Sequence, residues 1–229
     1  MSELWTCDLG VVPYRDALEL QEGLRVARQE GAIPDVLLAL EHPPVYTRGR
    51  RTRDGELPLG EQWYADQGIE IVDVRRGGRV TYHGPGQLVG YAIAQIDDVV
   101  AFVRLFERAA IAALAAEGIA ARARPDEGAD YTGVWVDARK IASIGVHVSR
   151  GVSAHGIAIN ADNDLTPFTW VVPCGLPDVQ MTSIAAETGR TDTLPALRER
   201  FAAAFAAELG ATARPVDPAA LQGVLAAAR

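Results

Sequence analysis

Lysine is almost missing from this sequence of 229 residues, in which Lys140 is the only one and the remaining Lys-or-Arg positions all hold arginine. Either residue can serve as a solvated surface charge, but only lysine can release its proton when its surroundings favour the neutral amine. The sequence therefore predicts an acid/base role for Lys140. An arginine- and alanine-rich composition could also leave one lysine by chance, and composition alone does not separate the two explanations.

Other shortages argue against several classes of protein. Two cysteines, Cys7 and Cys174, are too few for a disulfide framework, and without a Cys-x-x-Cys pair we expect no structural zinc site. No continuous apolar run is long enough to cross a bilayer, and the first residues lack the basic and apolar regions of a signal peptide. The net charge of -8 argues against a general nucleic-acid binder. We therefore expect a cytoplasmic protein that binds neither a membrane nor nucleic acid.

The composition and the order of predicted elements indicate one α/β domain over residues 1–229. An apolar content of 48% and a charged content of 23% are ordinary for a soluble globular domain. Helices are predicted over 13–30, 98–117, 194–209 and 218–228, and strands over 36–40, 69–74 and 87–96. Three further strands, 134–136, 140–148 and 152–160, follow one another through tight turns, which implies antiparallel pairing. The part of the chain from about residue 190 is expected to be helical.

The arginines are unevenly distributed. Two short runs contain the clusters Arg48, Arg50, Arg51, Arg53 and Arg75, Arg76, Arg79. Such clusters are commonly solvated loops, but against an acidic background they indicate a local anion-binding patch. An acidic protein or a phosphate would suit this patch.

The run from Arg76 to Gln87 contains the densest cluster of glycine and proline residues in the chain. Five of its twelve residues are glycine or proline, so we expect no regular element there. Exposed N–H groups in such loops bind anions or a developing oxyanion, and Thr81, His83 and Gln87 add polar side chains. The spacing matches neither Gly-x-Gly-x-x-Gly nor a Walker loop. The sequence favours a binding loop over the alternative, a pair of tight turns.

The second candidate for a reactive residue is Cys174, in the run Val172-Pro173-Cys174-Gly175-Leu176-Pro177. Most single cysteines are buried and inert. Two prolines and a glycine disfavour burial in a helix or strand, so this run predicts a reactive thiol on a rigid loop. Cys7 lies in an apolar amino-terminal segment predicted as a strand, which is typical of an ordinary buried cysteine.

Several separate runs of the sequence form one recognisable set. They are Arg76 to Gln87, Arg139 to Gly145, His155 to Asn160 and Pro173 to Gly175. Together they resemble the octanoyltransferases of lipoate biosynthesis, and Glu41 to Thr47 matches the amino-terminal element of that family. These runs follow in the family's order over about residues 35–185, and the first of them is highly specific. The resemblance implies the fold of the biotin and lipoate protein ligases: one α/β domain with a mixed, largely antiparallel sheet flanked by helices.

The resemblance also implies a reaction and its residues. The family moves an octanoyl group from acyl carrier protein to a specific lysine of lipoyl domains in 2-oxoacid dehydrogenase complexes and the glycine cleavage system. Its nucleophile falls on Cys174 and its catalytic lysine on Lys140. Its acyl-binding residues fall on Arg76, Gly77, Gly78, Arg79, Val80, Thr81, Tyr82, His83, Ser143, Ile144, Gly145, Gly156, Ile157 and Ala158. The donor thioester is already activated, so we expect no metal, no ATP and no other cofactor, and the resemblance favours a monomer.

A mechanism follows from these assignments as a hypothesis. A free thiol has a pKa of about 8.5 and is mostly protonated at neutral pH, and a nearby ammonium such as that of Lys140 favours the thiolate. Lys140 would protonate the departing pantetheine thiol and later take a proton from the acceptor lysine. The backbone N–H groups of Gly77 and Gly78, or those beside Cys174, would hold the oxyanion.

Three alternatives stay open. An ATP-dependent lipoate or biotin ligase would have the same fold and need a lysine but no nucleophilic cysteine. A non-catalytic acyl-carrier-binding protein would need neither residue. A Cys–His thiol hydrolase would use His83 or His155 as its base, but no orienting Asn or Asp stands at a useful position, so we expect both histidines to be pocket walls or hydrogen-bond donors.

Overall fold

A computed structural model of the chain describes residues 2–172 and 179–227. The strands in these ranges are β1 (Ser2–Val11), β2 (Asp35–Glu41), β3 (Val45–Arg48), β4 (Glu70–Asp73), β5 (Thr81–His83), β6 (Gln87–Ile93), β7 (Arg122–Ala123), β8 (Gly133–Val136), β9 (Arg139–Ser149), β10 (Val152–Asn160) and β11 (Ala211–Pro215). The helices are α1 (Tyr14–Gln29), α2 (Glu61–Asp66), α3 (Val99–Ala115), α4 (Ile184–Thr188), α5 (Leu194–Leu209) and α6 (Pro218–Ala227).

Eight strands form one sheet in the order β11-β1-β2-β6-β10-β9-β8-β7. Its neighbouring strands are antiparallel, except that β1 runs parallel to both β2 and β11. The predicted meander is confirmed, because β8, β9 and β10 are consecutive antiparallel neighbours. The mixed, largely antiparallel sheet in a single α/β domain agrees with the fold expected from the sequence.

The predicted helices begin and end close to the residues that predicted their termini. Pro13 precedes the first turn of α1, and Gly31, at φ +73°, follows its last turn. The carboxylate of Asp98 accepts hydrogen bonds from the N–H groups of Val100 and Ala101 at 2.8 and 3.1 Å, and so caps α3. The expected helical carboxy-terminal part contains α5 and α6, but β11 lies between them and pairs with β1.

Two layers of helices cover the two faces of the large sheet. On one face, Phe106 of α3 and Phe205 of α5 pack in a cluster with Leu88 and Ile157 of the sheet. On the other face, Leu24 of α1 and Leu221 of α6 pack in a second cluster with Val89 and Ala158. Adjacent residues of one strand thus enter opposite clusters, as the alternation of a pleated strand requires. None of the described helices is long and apolar enough to cross a membrane.

A second, three-stranded sheet of β4, β3 and β5 corrects one prediction. The run from Arg76 to Gln87 was expected to contain no regular element, but Thr81–His83 is a strand antiparallel to β3. The glycines of the run stand on either side of this strand, at Gly77, Gly78, Gly84 and Gly86. These glycines therefore mark two turns, one on each side of the short buried strand β5. The turns bring β5 beside the large sheet.

Candidate active site

One cavity of about 280 Å³ collects most of the residues that the sequence pointed to. It lies where β5 and the loop before it approach β9 and β10. The lining includes these predicted residues: Arg76, Gly77, Gly78, Arg79, Val80, Thr81, His83, Lys140, Ser143, Ile144, Gly145, Gly156, Ile157 and Ala158. Three runs that are far apart in the chain therefore share one pocket, because the β9–β10 pairing sets Gly145 opposite Gly156 and Ile144 opposite Ile157.

Tyr82 was also predicted to contact the substrate, but it does not line this cavity. Its ring lies 5.4 Å from the ring of Tyr46 and 5.5 Å from that of Phe168, centroid to centroid, in the cluster behind the small sheet. The reason is the alternation of side chains along β5, which turns Thr81 and His83 to the cavity and Tyr82 away from it.

Cys174, the predicted nucleophile, lies outside the described residues. The residues on either side of its segment are bound to the cavity wall. The N–H of Val172 donates to the carbonyl of Glu56 at 3.0 Å, and the Glu56 carboxylate pairs with Arg79 of the lining at 2.7 Å. On the other side, the carbonyl of Gln180 accepts a hydrogen bond of 2.9 Å from the N–H of Lys140.

Lys140 is 1% exposed, although it is the only lysine of the chain. It lies on β9 and lines the cavity. Its carbonyl accepts a hydrogen bond of 2.9 Å from the N–H of Thr182, so β9 is bound on this side to the segment around Met181. Its Nζ lies 5.2 Å from the centroid of the Trp135 ring, within the range of a cation–π contact. Strand β9 and the segment around Met181 thus hold the Lys140 amine inside the pocket.

Arg76 places a permanent positive charge in the wall of the same cavity. Its guanidinium donates to the carbonyl of Thr47 at 2.9 Å, to the Thr47 hydroxyl at 2.6 Å and to the carbonyl of Gly77 at 2.9 Å. A Cβ at Gly145 would lie 3.1 Å from Cδ of Arg76 and 2.8 Å from the carbonyl oxygen of Gly77. Gly145 is therefore required for close packing between β9 and this loop.

The glycine loop bears on the expected oxyanion site. The N–H of Gly77 donates to the carbonyl of Val146 at 2.9 Å, which docks the loop on β9. In this structure the Gly77 N–H is therefore engaged and does not point to an oxyanion. Gly78, at φ +82°, lines the cavity, and within residues 2–172 and 179–227 no acceptor is recorded for its N–H. Gly78 remains the candidate donor of the pair.

His83 is buried in the cavity wall between polar and aromatic neighbours. Its Nδ1 lies 2.8 Å from Oε1 of Gln87, and its ring stacks at 5.8 Å on the ring of Tyr14. Burial, with smaller contributions from His42 and Arg76, lowers the pKa of His83 well below its ordinary value. His83 is therefore neutral at physiological pH and is a poor general base, as the sequence led us to expect.

His155 occupies an unusual backbone position on β10. It has φ +61°, a left-handed conformation that costs energy for a side chain with a Cβ, and its N–H donates to Oε1 of Gln21 at 2.7 Å. Burial, followed by the charges of Arg76 and His147, lowers its pKa to about 3. Its Nδ1 has no hydrogen-bond partner among the described residues. It is a neutral wall residue, and nothing here makes it a base.

Several lining residues were not identified from the sequence. They are Tyr14, Tyr91, Val99, Val103, Ala129, Asp130, Thr132 and Val146, while Arg51 was predicted only as part of the anion-binding patch. Val99 and Val103 are one helical turn apart at the start of α3, a spacing that identifies a shared face but not what the face contacts. Tyr14 and Tyr91 meet the site through α1 and β6, whose long-range packing no local pattern reveals.

The two arginine clusters come together beside the cavity. The N–H groups of Arg50 and Arg51 donate to the carbonyls of Arg76 and Gly78 at 3.1 and 3.0 Å, which joins the two loops. Arg48 is neutralised by Asp73 at 2.7 Å and Glu61 at 2.6 Å, and Arg51 and Arg79 face Asp130.

Three other arginines of these clusters, Arg50, Arg53 and Arg75, are exposed. They form no ion pair within the described part of the chain. We call these three residues the arginine surface. In the same ranges no group of His, Cys, Asp and Glu is arranged to hold a metal ion.

Comparison with known proteins identifies the family of this chain. The family profile of the "Lipoyl protein ligase A/B catalytic domain" matches residues 13–206. An octanoyltransferase of Acidothermus cellulolyticus is 44% identical over 216 residues, covering 91% of this chain and 92% of its own length. An octanoyltransferase of Mycobacterium tuberculosis is 48% identical over 207 residues, covering 88% of this chain and 85% of its own length.

Solved structures share the fold at low sequence identity. A bi-partite lipoate protein ligase from Thermoplasma acidophilum, studied with its E2 lipoyl domain, superposes with a TM-score of 0.75 at 17% identity, over 100% of this chain and 92% of that one. The biotin protein ligase of Aquifex aeolicus superposes with a TM-score of 0.51 at 12% identity, and the match covers 92% of this chain and 70% of that one. The chain therefore belongs to the family of lipoyl protein ligase A/B catalytic domains and is an enzyme whose curated relatives are octanoyltransferases.

Proposed function

We propose that this enzyme transfers an octanoyl group from the thioester of acyl carrier protein to a specific lysine of a lipoyl domain. One observation carries the proposal. The only lysine of the chain is buried in a pocket whose walls include the three runs that the resemblance assigns to acyl binding. A surface lysine left over by composition would not be placed in this way. The relatives named octanoyltransferase support the same acyl group.

The apolar part of the cavity suits an acyl tail. Val99 and Val103 of α3 face the cavity together with Ile144, Val146 and Ile157 of the sheet. Burying an eight-carbon chain against such a wall is worth on the order of 5 kcal/mol, at about 0.8 kcal/mol per methylene group. The polar residues of the cavity, Lys140 and Arg76 among them, would then lie toward the reacting carbonyl.

Cys174 is the proposed nucleophile. Its sequence context predicts a reactive thiol, and the flanking Val172 and Gln180 are tied to residues of the cavity wall. The other cysteine is unsuited to this role. Burial, and then the charges of Asp8 and Asp217, raise the pKa of Cys7 to about 11. The thiol of Cys7 is therefore protonated at neutral pH and a weak nucleophile.

The proposed reaction has two halves. In the first, the Cys174 thiolate attacks the thioester carbonyl, the bond from carbonyl carbon to pantetheine sulfur breaks, and the Lys140 ammonium protonates the departing sulfur. In the second, the Lys140 amine takes a proton from the acceptor ammonium. The neutral acceptor amine then attacks the acyl-cysteine, forming an amide and releasing the Cys174 thiolate. Over the cycle one proton goes to solvent, and neither ATP nor a metal is consumed.

The arginine surface is the proposed docking site for the donor. Arg50, Arg53 and Arg75 give an exposed positive patch to a protein whose net charge is -8. An acidic carrier protein that docked there would be guided by complementary charge, which mainly raises the association rate. The loops that carry these arginines also carry the cavity residues Arg76 and Gly78, so a docked carrier could insert its acyl arm directly. A monomeric, cytoplasmic enzyme remains part of the proposal.

The test is the intact mass of the enzyme after mixing with octanoyl-acyl carrier protein. We expect a gain of one octanoyl group that maps to the Cys174 peptide and disappears when a lipoyl domain is added. Cys174→Ser should form no acyl-thioester, and Cys7→Ala, its matched control, should be acylated normally. Undiminished transfer by Cys174→Ser would refute the covalent mechanism. Amide formation from ATP and free octanoate, without the carrier, would instead identify a ligase.

A further inference from the structure

Trp135 lies directly opposite Lys140 in the sheet. The β8–β9 register pairs the two residues, and the Lys140 Nζ lies 5.2 Å from the centroid of the indole ring. Both side chains are fully buried, Trp135 at 0% and Lys140 at 1% exposure. Side chains of directly paired residues stand on the same face of a sheet, so the ring and the ammonium are neighbours because of the backbone pairing itself.

The ring is held in place by contacts that do not involve Lys140. Its Nε1–H donates to the carbonyl of Tyr131 at 2.9 Å, and the guanidinium of Arg124 lies 4.7 Å from the centroids of both the Trp135 and Tyr131 rings. Arg124 is held in turn by the Glu127 carboxylate through two hydrogen bonds of 2.6 and 2.5 Å. The indole is therefore preorganised before the ammonium is considered.

Gly133, on the same strand, makes room for the lysine stem. A Cβ at this position would collide with the carbonyl oxygen of Ala142 and would lie 2.7 Å from the Lys140 Cε. The close approach of the β9 backbone therefore requires glycine here, and the missing side chain also leaves room for the lysine stem. Gly133 also has φ +139°, and its N–H donates at 3.2 Å to the carboxylate of Glu107, which is 1% exposed. Glu107 is itself bound by Arg104 at 2.6 Å. Strand β8 therefore leaves space for the Lys140 side chain at Gly133 and places the aromatic face of Trp135 beside the Lys140 ammonium.

We propose that Trp135 is a positioning residue, whose indole face holds the Lys140 ammonium at one place in the cavity. This inference rests on the proposed acid/base role of Lys140. An aromatic face attracts a cation through its quadrupole, more weakly than a carboxylate would. It can therefore stabilise the ammonium and still allow Lys140 to give up its proton in the next step. Arg124, a second cation on the same ring, opposes this stabilisation.

The single lysine makes a direct test possible. Protein labelled with ¹³C-lysine gives one Cε signal, that of Lys140, and its attached protons should be shifted upfield by the ring current of Trp135. We would record this signal and its pH titration for the wild type, Trp135→Phe, Trp135→Leu and Arg124→Gln. The pH dependence of kcat/KM for octanoyl transfer would be measured on the same proteins.

The four proteins should differ in a set order. Trp135→Phe keeps an aromatic face, so it should retain part of the upfield shift. Trp135→Leu should lose the shift, because leucine offers no aromatic face to the ammonium. Arg124→Gln removes the competing cation but leaves the indole in place, so it should retain the upfield shift. The main kinetic loss in Trp135→Leu should be in kcat rather than in KM.

Phe205→Leu is the matched control, because Phe205 is equally buried but packs with Phe102, Phe106 and Phe201 on the α3 and α5 side. It should lower the melting temperature without moving the Lys140 signal. Identical Lys140 spectra and rate profiles for Trp135→Phe and Trp135→Leu would overturn the proposal. If the spectra change as expected but Lys140→Ala still transfers at the full rate, the acid/base role of Lys140 is wrong instead, while the ring contact stands.

Discussion

The side chain of Gln87 fixes the tautomer of His83. The Gln87 amide nitrogen donates to the Asn160 side-chain oxygen at 2.9 Å and to the carbonyl of Tyr82 at 3.2 Å, so its oxygen is the atom that faces His83. The amide of Asn160 is oriented likewise, since its nitrogen donates to the carbonyl of Thr182 at 2.9 Å. His83 Nδ1, 2.8 Å from the Gln87 oxygen, must therefore carry the hydrogen, which leaves Nε2 as an acceptor.

We expect nitrogen NMR at pH 7 to find His83 neutral with its proton on Nδ1. Gln87→Glu would place a carboxylate beside that N–H and should raise the pKa of His83, because a negative neighbour favours the charged imidazolium. Gln87→Met, which is similar in size and lacks the carbonyl, should release the tautomer. A proton on Nε2 in the wild type would contradict the orientation of this network.

Substituting Lys140 by arginine should separate its two proposed roles. Arginine keeps a positive charge in the cavity but cannot exchange a proton. Lys140→Arg should therefore still form acyl-enzyme in the mass assay, but more slowly, because the departing pantetheine sulfur must take its proton from solvent. Transfer to the lipoyl domain, which also needs the base, should fall by about 10²–10⁴-fold, the usual contribution of general acid–base catalysis. Lys140→Ala should lose both steps.

The histidines provide the comparison for Lys140. His83→Ala and His155→Ala should each reduce transfer less than Lys140→Ala does, since burial lowers the pKa of both rings and makes them weak proton acceptors. A loss in His83→Ala equal to that of Lys140→Ala, with a matching change in the pH profile, would favour a histidine base.

Stability should fall in mild acid because buried histidines resist protonation. Burial lowers the pKa of His42 to about 4, and that of His155 is about 3, whereas an unfolded histidine titrates near about 6.5. As the pH falls below 6.5 the unfolded chain binds protons first, so the free energy of unfolding declines until the folded pKa is reached. Each of these histidines should lower the free energy of unfolding by about 2 kcal/mol as the pH falls from 7.5 to 5.

Urea unfolding at pH 7.5 and pH 5 measures this loss above the range where carboxylates titrate. His155→Asn tolerates the left-handed backbone at this position and should remove one histidine's share of the pH dependence. An unchanged difference between the two pH values in this variant would show that His155 does not contribute.

Reversing charge on the arginine surface should weaken donor docking. The double variant Arg50→Glu and Arg75→Glu should raise the KM for octanoyl-acyl carrier protein at least about tenfold, and added salt should raise the wild-type KM in the same direction. Activity with octanoyl-pantetheine, which carries no protein, should not change. Arg214→Glu, an exposed arginine on β11, is the control. An equal rise in KM with the small donor would mean that the surface acts on the pocket rather than on docking.

Local patterns predicted the parts of the fold whose causes are local. The helix from Leu194 to Leu209 was predicted with both ends correct, and the predicted ends of the helix that begins after Asp98 are at most two residues from those observed. Caps, glycine stops and apolar periodicity act within a few residues, so they can be found in a sequence. The strand at Thr81–His83 was missed, because only its pairing with β3 stabilises three residues between glycine turns.

The sequence by itself determined the main helices of this chain, its meander, its family and the identity of Lys140 as an unusual amine. Through the resemblance to the family it also supplied many of the pocket residues, in runs whose order can be read from the sequence. The tertiary structure alone decided which runs meet in the cavity and turned the Tyr82 side chain away from it. It also engaged the Gly77 N–H in a hydrogen bond to the Val146 carbonyl and placed the Trp135 ring beside the Lys140 ammonium. These depend on strand register and on contacts between distant residues, where a shift of one position reverses the face of every side chain.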